Sequence, residues 1–242
     1  MFKCWGISKI KIDYFRNVYM SNKKHAIVIG ANGLVGTELY KQLLNHDSYE
    51  KVTLITRRYI EVDHEKLEVQ IVDFKNLHKD WDLFKCDDMF YCLGTTKSDT
   101  PKSSDYHKIE FDYAVNIAKI SHHNKVKKFL YISSSGASPK SWFNYLKLKG
   151  QVEVKLEEVG FEYLHIFRPY VLLGKRDKFR FGEAIAKFLL RMFNFMMVGF
   201  LKNIKGMPAP QLAKAMIHCA NLKTKGTFIH SNREIHEFFP KN

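Results

Sequence analysis

The chain of 242 residues carries only four cysteines, Cys4, Cys86, Cys92 and Cys219, with no CxxC pair or Cys/His ligand cluster. Neither a disulfide framework nor a structural zinc site is expected, and a reducing cytosol is the expected compartment. Its 11 histidines are scattered. The adjacent pair His122–His123 points in two directions on a helix and cannot share a ligand, so no metal is expected. An uninterrupted apolar run of membrane-spanning length is also missing. The stretch Phe181–Leu201 is broken by Lys187, Arg191, Asn194 and Gly199, and a central arginine costs ~2.5–3.5 kcal/mol on insertion. Internal repeats, low-complexity tracts and long linkers are absent. Acidic residues are few: 25 against 39 Lys and Arg, a formal charge of +14. That excess favours anionic partners, whether a phosphorylated cofactor, nucleic acid or an acidic membrane surface, and does not choose among them.

What is present is enough apolar material for a substantial core, 45% of residues, at a length that bounds the chain to one or two domains. Residues 1–19 form a basic, aromatic extension with Lys3, Lys9, Lys11 and Arg16 against Asp13. It lacks the apolar run and small-residue cleavage site of a secretory signal. Ile12, Phe15 and Tyr19 recur at helical spacing, which allows an amphipathic reading; a poorly ordered extension is the plainer expectation. The segment from Met20 to Lys24 looks like an ordinary cytosolic start, so residues 20–242 are expected to form one domain.

From Lys24 short apolar runs alternate with longer helical patterns. Strands are expected at 26–30, 52–56, 67–72, 89–93, 129–132, 163–167 and 227–230, and helices at 34–44, 105–122, 144–159 and 211–221. Alternation without hairpin signals predicts βαβ units and a doubly wound parallel sheet, an α/β Rossmann fold. Residues 175–242 are expected to add a small helical or lid portion. Within it, Phe181–Leu201 reads first as a helix packed on the domain, with a pocket lid, a dimer face or a membrane-surface contact as alternatives.

Directly after the first strand comes Gly30-Ala31-Asn32-Gly33-Leu34-Val35-Gly36. Gly30 allows a tight turn, Gly33 lets backbone approach a pyrophosphate, and Gly36 lets the helix pack close to the strand. The first N–H groups of that helix, at its positive dipole end, then bind the anion. A glycine triplet alone is only a tight βα turn; the strand before and helix after make it a nucleotide loop. The second strand ends in Thr56-Arg57-Arg58, with no carboxylate until Glu61. Two guanidiniums suit a 2′-phosphate, so NADP(H) is expected over NAD(H), against the alternative of a solvated basic loop.

Tyr145 and Lys149 are spaced four apart on the expected helix 144–159, which places them on one face. An ammonium beside a phenol favours the phenolate and draws its pKa down from ~10 toward a useful range for proton transfer. Ser133, Ser134 and Ser135 end the preceding strand at its carboxyl edge, where ligands bind in such sheets and a hydroxyl can orient a carbonyl oxygen. Tyr-x-x-x-Lys by itself also describes a surface pair on a lysine-rich helix. The order of glycine loop, serine run and Tyr-x-x-x-Lys is far more specific.

With these motifs the chain resembles the short-chain dehydrogenase/reductase superfamily in its extended or atypical form. More narrowly, it looks like the Tat-interacting-protein-like oxidoreductases, through VTLITRR (52–58), VDF (72–74), CLGTT (92–96), Ser133-Ser134 with Gly136-Ala137, YLKLKG (145–150), FRP (167–169) and Arg180 with Gly182-Glu183. The resemblance implies NADPH contacts from Asn32, Gly33, Leu34 and Val35, from Arg57 and Arg58 at the adenosine phosphate, and from Leu93 and Gly94 beneath the dinucleotide. It also implies contacts from Leu172 and Arg180, with Asp73 near the adenine. It makes Tyr145 the acid or base at the carbonyl oxygen and Lys149 the residue that holds the nicotinamide ribose and depresses the tyrosine pKa. Ser134, less securely Ser133 or Ser135, would steer the substrate. Two departures stand out: Cys92-Leu93-Gly94-Thr95 replaces the usual Asn-Asn-Ala-Gly, and Glu110 stands where extended members often carry Asn. Both put the usual proton relay in doubt.

Three functions compete. The first is an NADPH-dependent reductase of a small carbonyl substrate. The second is an NADPH-binding regulatory or assembly protein with little or no turnover. The third, a nucleic-acid or peripheral-membrane protein, rests on Lys125/Lys127/Lys128 and Lys175/Arg176/Lys178/Arg180, without any nucleic-acid module beside them. Oligomeric state is not legible.

Overall fold

The computed structural model describes residues 23–95, 100–174 and 206–239. The expectations for residues 1–19, for Arg180 and for Phe181–Leu201 lie outside these residues.

Seven strands form one sheet: β1 (Lys24–Ile29), β2 (Tyr49–Thr56), β3 (Leu67–Ile71), β4 (Asp88–Tyr91), β5 (Lys128–Ile132), β6 (Tyr163–Arg168) and β9 (Gly226–Ser231). Their order is β3-β2-β1-β4-β5-β6-β9 and every pairing is parallel, as the absence of hairpin signals predicted. β1 pairs with β2 on one side and β4 on the other, so the chain reverses its direction of growth there and leaves a crevice at the strands' carboxyl ends. The short β7 (Leu172–Leu173) and β8 (Met207–Pro208) pair separately. Two residues each is too little for a period of two to register, and the sequence reading passed over them.

The helices cover both faces. α1 (Leu34–Leu44) buries Val35, Leu39, Tyr40, Leu43 and Leu44, the three-and-four spacing of one apolar stripe. It packs on one face with α5 (Ala209–Ala220) and α6 (Asn232–Glu237); the latter opens on a Ser231/Glu234 capping box. α3 (Tyr113–His123) and α4 (Asn144–Val159) cover the other face, over Ile27, Ile29, Tyr91, Phe129, Tyr131 and Ile166. Gly160, at φ +80°, ends α4 in the left-handed conformation, as its sequence signalled.

One expected helix is corrected. The segment foreseen at 105–122 runs as α2 (Ser103–His107), a π segment (Lys108–Asp112) and then α3. The wider turn shifts the residues after it around the axis, and Glu110 is turned inward to 2% exposure.

Two contacts fix the sheet's centre. The buried Asp88 carboxylate accepts from Tyr49 Oη at 2.6 Å and Lys24 Nζ at 2.5 Å, tying β4, β2 and β1 together. A Cβ on Gly36 would stand 2.2 Å from Gly30 O, so α1 touches the end of β1 with no room for a methyl group. Gly36→Ala is expected to destabilise by about 1–3 kcal/mol, read as a lower urea midpoint at unchanged slope.

Candidate active site

The glycine loop leaves β1 at Gly30, φ +83°, where a Cβ would lie 2.6 Å from Leu93 N. Two strand ends therefore meet almost backbone to backbone, which brings Leu93 and Gly94 beside the loop. Gly33 caps α1 without any side-chain hydrogen bond, and the first turn holds no acidic residue. The leading N–H groups around Leu34, Val35 and Gly36 are thus left to an outside anion. The loop is a cradle that fits a dinucleotide pyrophosphate. Across it, a Cβ on Gly174 would meet the Leu34 side chain at 2.5 Å, so the segment around Leu172 closes over the same helix start.

Arg57 and Arg58 are exposed at the end of β2. Asp73, after β3, accepts hydrogen bonds from Lys75 N at 3.0 Å and Asn76 Nδ2 at 2.6 Å, which hold its carboxyl below the ordinary range. Burial raises the Tyr113 phenol pKa, with the Arg57 guanidinium opposing the shift and the Asp73 carboxylate adding to it.

The serine run follows β5, with Ser133 N bonded to Phe167 O at 2.8 Å and Ser135 N to Pro169 O at 2.9 Å. Ser133 is 4% exposed and its hydroxyl has no hydrogen-bond partner among the described residues. Ser134 is the member that bonds the Tyr145 side chain. α4 reaches this run at Gly150, where a Cβ would be 2.3 Å from Ser138 C. It is clamped one turn on by Arg168, whose Nε and Nη2 donate to Glu153 at 3.0 and 2.5 Å. The YLKLKG motif is therefore a docking surface as well as a carrier of Tyr145 and Lys149.

Lys149 is buried, and its ammonium lies 2.9 Å from Glu110 Oε2, 3.2 Å from Tyr131 Oη and 3.3 Å from Ile132 O. Two of its donors are hydrogen-bonded, to Tyr131 and Ile132, while Glu110 Oε2 pairs with it by charge without an aligned hydrogen bond. The other oxygen of Glu110 accepts from Thr95 N, so one carboxylate joins the loop after β4 to α4. Sequence reasoning noted Glu110 as a departure and did not foresee this pair; the π segment that aims it inward leaves no mark on apolar spacing.

The electrostatics correct a second expectation. Lys149 does favour the Tyr145 phenolate, but burial outweighs it and Glu110 opposes it, so the phenol pKa lies above its ordinary value. Burial works against the charged form of Lys149 too, yet Glu110, Tyr131 and Tyr145 together hold its pKa well above the usual lysine range.

The comparisons with known proteins agree with this geometry. The profile of the NAD dependent epimerase/dehydratase family matches residues 26–143. Protein HTATIP2 of Rattus norvegicus is 35% identical over 176 residues, 71% of this chain and 72% of that one. The chain belongs to this family, in the extended or atypical branch of the short-chain dehydrogenase/reductases. The matched family is one of NAD dependent epimerases and dehydratases. Protein FMP52, mitochondrial, of Candida glabrata is 32% identical over 197 residues, 77% of this chain and 80% of that one. Among solved structures, a UDP-N-acetylglucosamine 4-epimerase from Methanobrevibacter ruminantium shares the fold at a TM-score of 0.65 and 19% identity, covering 86% of this chain and 76% of its own. The expected cytosolic compartment is corrected by these relatives, since FMP52 is named as a mitochondrial protein. No helix among the described residues is long and apolar enough to cross a membrane.

Lys149 and Tyr145 both hold their proton more tightly folded than unfolded. Their stabilising contribution is full below about pH 10 and is lost as pH rises above it. Glu110→Gln is expected to lower both pKa values, seen in tyrosine ring resonances, and to make the alkaline loss of stability shallower. Breaking the buried pair is expected to destabilise by about 3–5 kcal/mol in urea unfolding at neutral pH.

Proposed function

We propose that the protein is an NADPH-dependent reductase of small, apolar aldehydes or ketones, with Tyr145 as the proton donor. The observation that carries this reading is the convergence of Ser134, Tyr145 and Lys149 at the carboxyl end of β5, on the glycine-loop side of a parallel sheet. Bound in the crevice, the nicotinamide supplies the hydride. Asn32, Gly33, Leu34 and Val35 would hold the pyrophosphate, with Leu93, Gly94 and Leu172 against the dinucleotide and Asp73 near its adenine. Arg57 and Arg58, exposed and free of any carboxylate neighbour in sequence, would take the 2′-phosphate. Arg180 keeps the role that the family resemblance implies.

The work of the residues is proton placement. The raised pKa of Tyr145 keeps the phenol protonated at neutral pH, which suits the direction of reduction: the hydroxyl gives its proton to the developing alkoxide. Ser134, bonded to the same phenol, orients the carbonyl oxygen. Lys149 stabilises the tyrosinate left behind and would hold a ribose hydroxyl through its ammonium. A small-molecule partner is proposed on this basis, with nucleic acid unfavoured and membrane contact at most peripheral.

A second reading, an NADPH-binding regulatory or assembly protein with little turnover, draws on the same ammonium. With Glu110 pairing its charge and Tyr131 and Ile132 accepting its hydrogen bonds, Lys149 is a structural centre as it stands. Titration with NADPH and NADH followed by an aldehyde and ketone screen separates the two. Turnover that falls by about 10²–10⁴-fold in Tyr145→Phe, with NADPH affinity retained, is the reductase outcome. NADPH binding without turnover for any carbonyl is the regulatory one. Arg57→Ala with Arg58→Ala is expected to weaken NADPH more than NADH.

We further propose a mitochondrial destination, supported by FMP52. The four basic residues and single acid of residues 1–19 share the acid-poor, basic character of an import sequence. Replacing Lys3, Lys9, Lys11 and Arg16 with Gln is expected to abolish import of the full chain into isolated mitochondria.

A further inference from the structure

On the face of the sheet that carries α1 and α5, away from the serine run, three ligating side chains converge, two buried and His230 half-buried on the edge strand β9. His165 on β6 and His230 on β9 meet at 3.0 Å between Nδ1 and Nε2, and Cys219 Sγ on α5 lies 3.7 Å from the same His230 Nε2. The three donor atoms all lie within 4.8 Å of one another. His165 is 1% exposed and Cys219 fully buried. The surroundings are apolar or aromatic: Phe228 stacks on His165 and Phe167 on His230.

As a purely structural cluster this arrangement returns little. Two imidazoles share one hydrogen bond, and the buried His165 Nε2 has no partner among the described residues. Buried polar groups without full pairing are destabilising relative to apolar side chains of the same size. The spacing, however, is that of donors around a metal: bonds of about 2.0–2.1 Å to nitrogen and about 2.3 Å to sulfur set such atoms roughly 3–4 Å apart. The scaffold is also rigid, since β6 and β9 are paired from Tyr163↔Gly226 to Arg168↔Ser231 and α5 packs on the same core.

We infer that His165, Cys219 and His230 form a His₂Cys site for a soft monovalent metal ion, copper(I). Charge decides the ion. Two neutral imidazoles and one thiolate sum to −1, so Cu(I) makes a neutral complex in the apolar core, whereas Zn(II) would leave a net positive charge there. Among the described residues the donor cluster includes no carboxylate to absorb that charge. The outside charges acting on it oppose each other, Lys128 on His165 and Glu234 on His230. Three donors including a soft sulfur also suit trigonal Cu(I), while structural zinc takes four.

The proton balance is simple. A metal ion is bound by neutral imidazoles and by a thiolate. The Cys219 thiol therefore gives up its proton when the metal binds. Each Cu(I) bound forms one Cu–S and two Cu–N bonds and releases one H⁺, with no change of oxidation state.

The test is anaerobic titration of the reduced full chain with Cu(I) in competition with bicinchoninate. The wild type is expected to withdraw one equivalent. Cys219→Ser and His230→Phe are expected to weaken that binding by more than the roughly 10–100-fold that outer-shell partners alone are worth. Cys86→Ser, a thiol outside the cluster, is expected to bind as the wild type does. X-ray absorption on the copper-loaded wild type needs no variant to fold, and one sulfur with two nitrogens is the expected shell. No withdrawal of copper, binding unchanged in Cys219→Ser, a shell without sulfur, or displacement of Cu(I) by equimolar Zn(II) would each overturn the assignment.

Discussion

At Gly30 the backbones leaving β1 and β4 approach so closely that a methyl group would sit within 2.7 Å of Cys92 and Leu93. That approach organises the ligand side of the molecule. It sets the glycine loop against the Leu93–Gly94 turn, aims the uncapped start of α1 into the crevice, and lets Gly36 seat the helix on the strand. A parallel sheet that reverses its direction of growth at β1 can open a cleft only at this point, because everywhere else a crossover helix fills the face.

The second half of the site depends on how α4 is held. Gly150 presses it against backbone at Ser138, Glu153 grips Arg168 on β6, and Lys149 is paired with Glu110 from the π segment. The first two fix position, and the third fixes electrostatics. Desolvation raises the Tyr145 pKa and outweighs the lowering by Lys149, while the buried Glu110 carboxylate adds to the upward shift. The site favours a tyrosine that keeps its proton, an acid more than a base.

Much of this was legible in the residues. Strands β1, β2, β4, β5 and β6 are near-continuous apolar runs because both faces of the sheet are covered. α1 and α4 announce their ends through the glycine loop and Gly160. Local signals of this kind survive folding because neighbours along the chain produce them. Glu110 was visible only as an oddity, since a π segment changes which way a side chain points without altering the apolar spacing around it. β7 and β8 were invisible for the opposite reason, being too short to have a period at all. His165, Cys219 and His230 carried no spacing signature: 65 residues separate the histidines, and an ordinary ligand motif spans a few.

The sequence by itself determined the fold class, the nucleotide loop, the basic end of β2 and the Tyr145/Lys149 face, because each is written within one strand–turn–helix unit or one helical turn. Tertiary structure alone decided which serine reaches Tyr145, which carboxylate neutralises Lys149, and that two strands and a helix bring three metal-ligating side chains together. Those are contacts between distant segments in a water-poor interior. There a separation of 3 Å and the loss of solvent set both charge and chemistry, and neither quantity exists until the chain has packed.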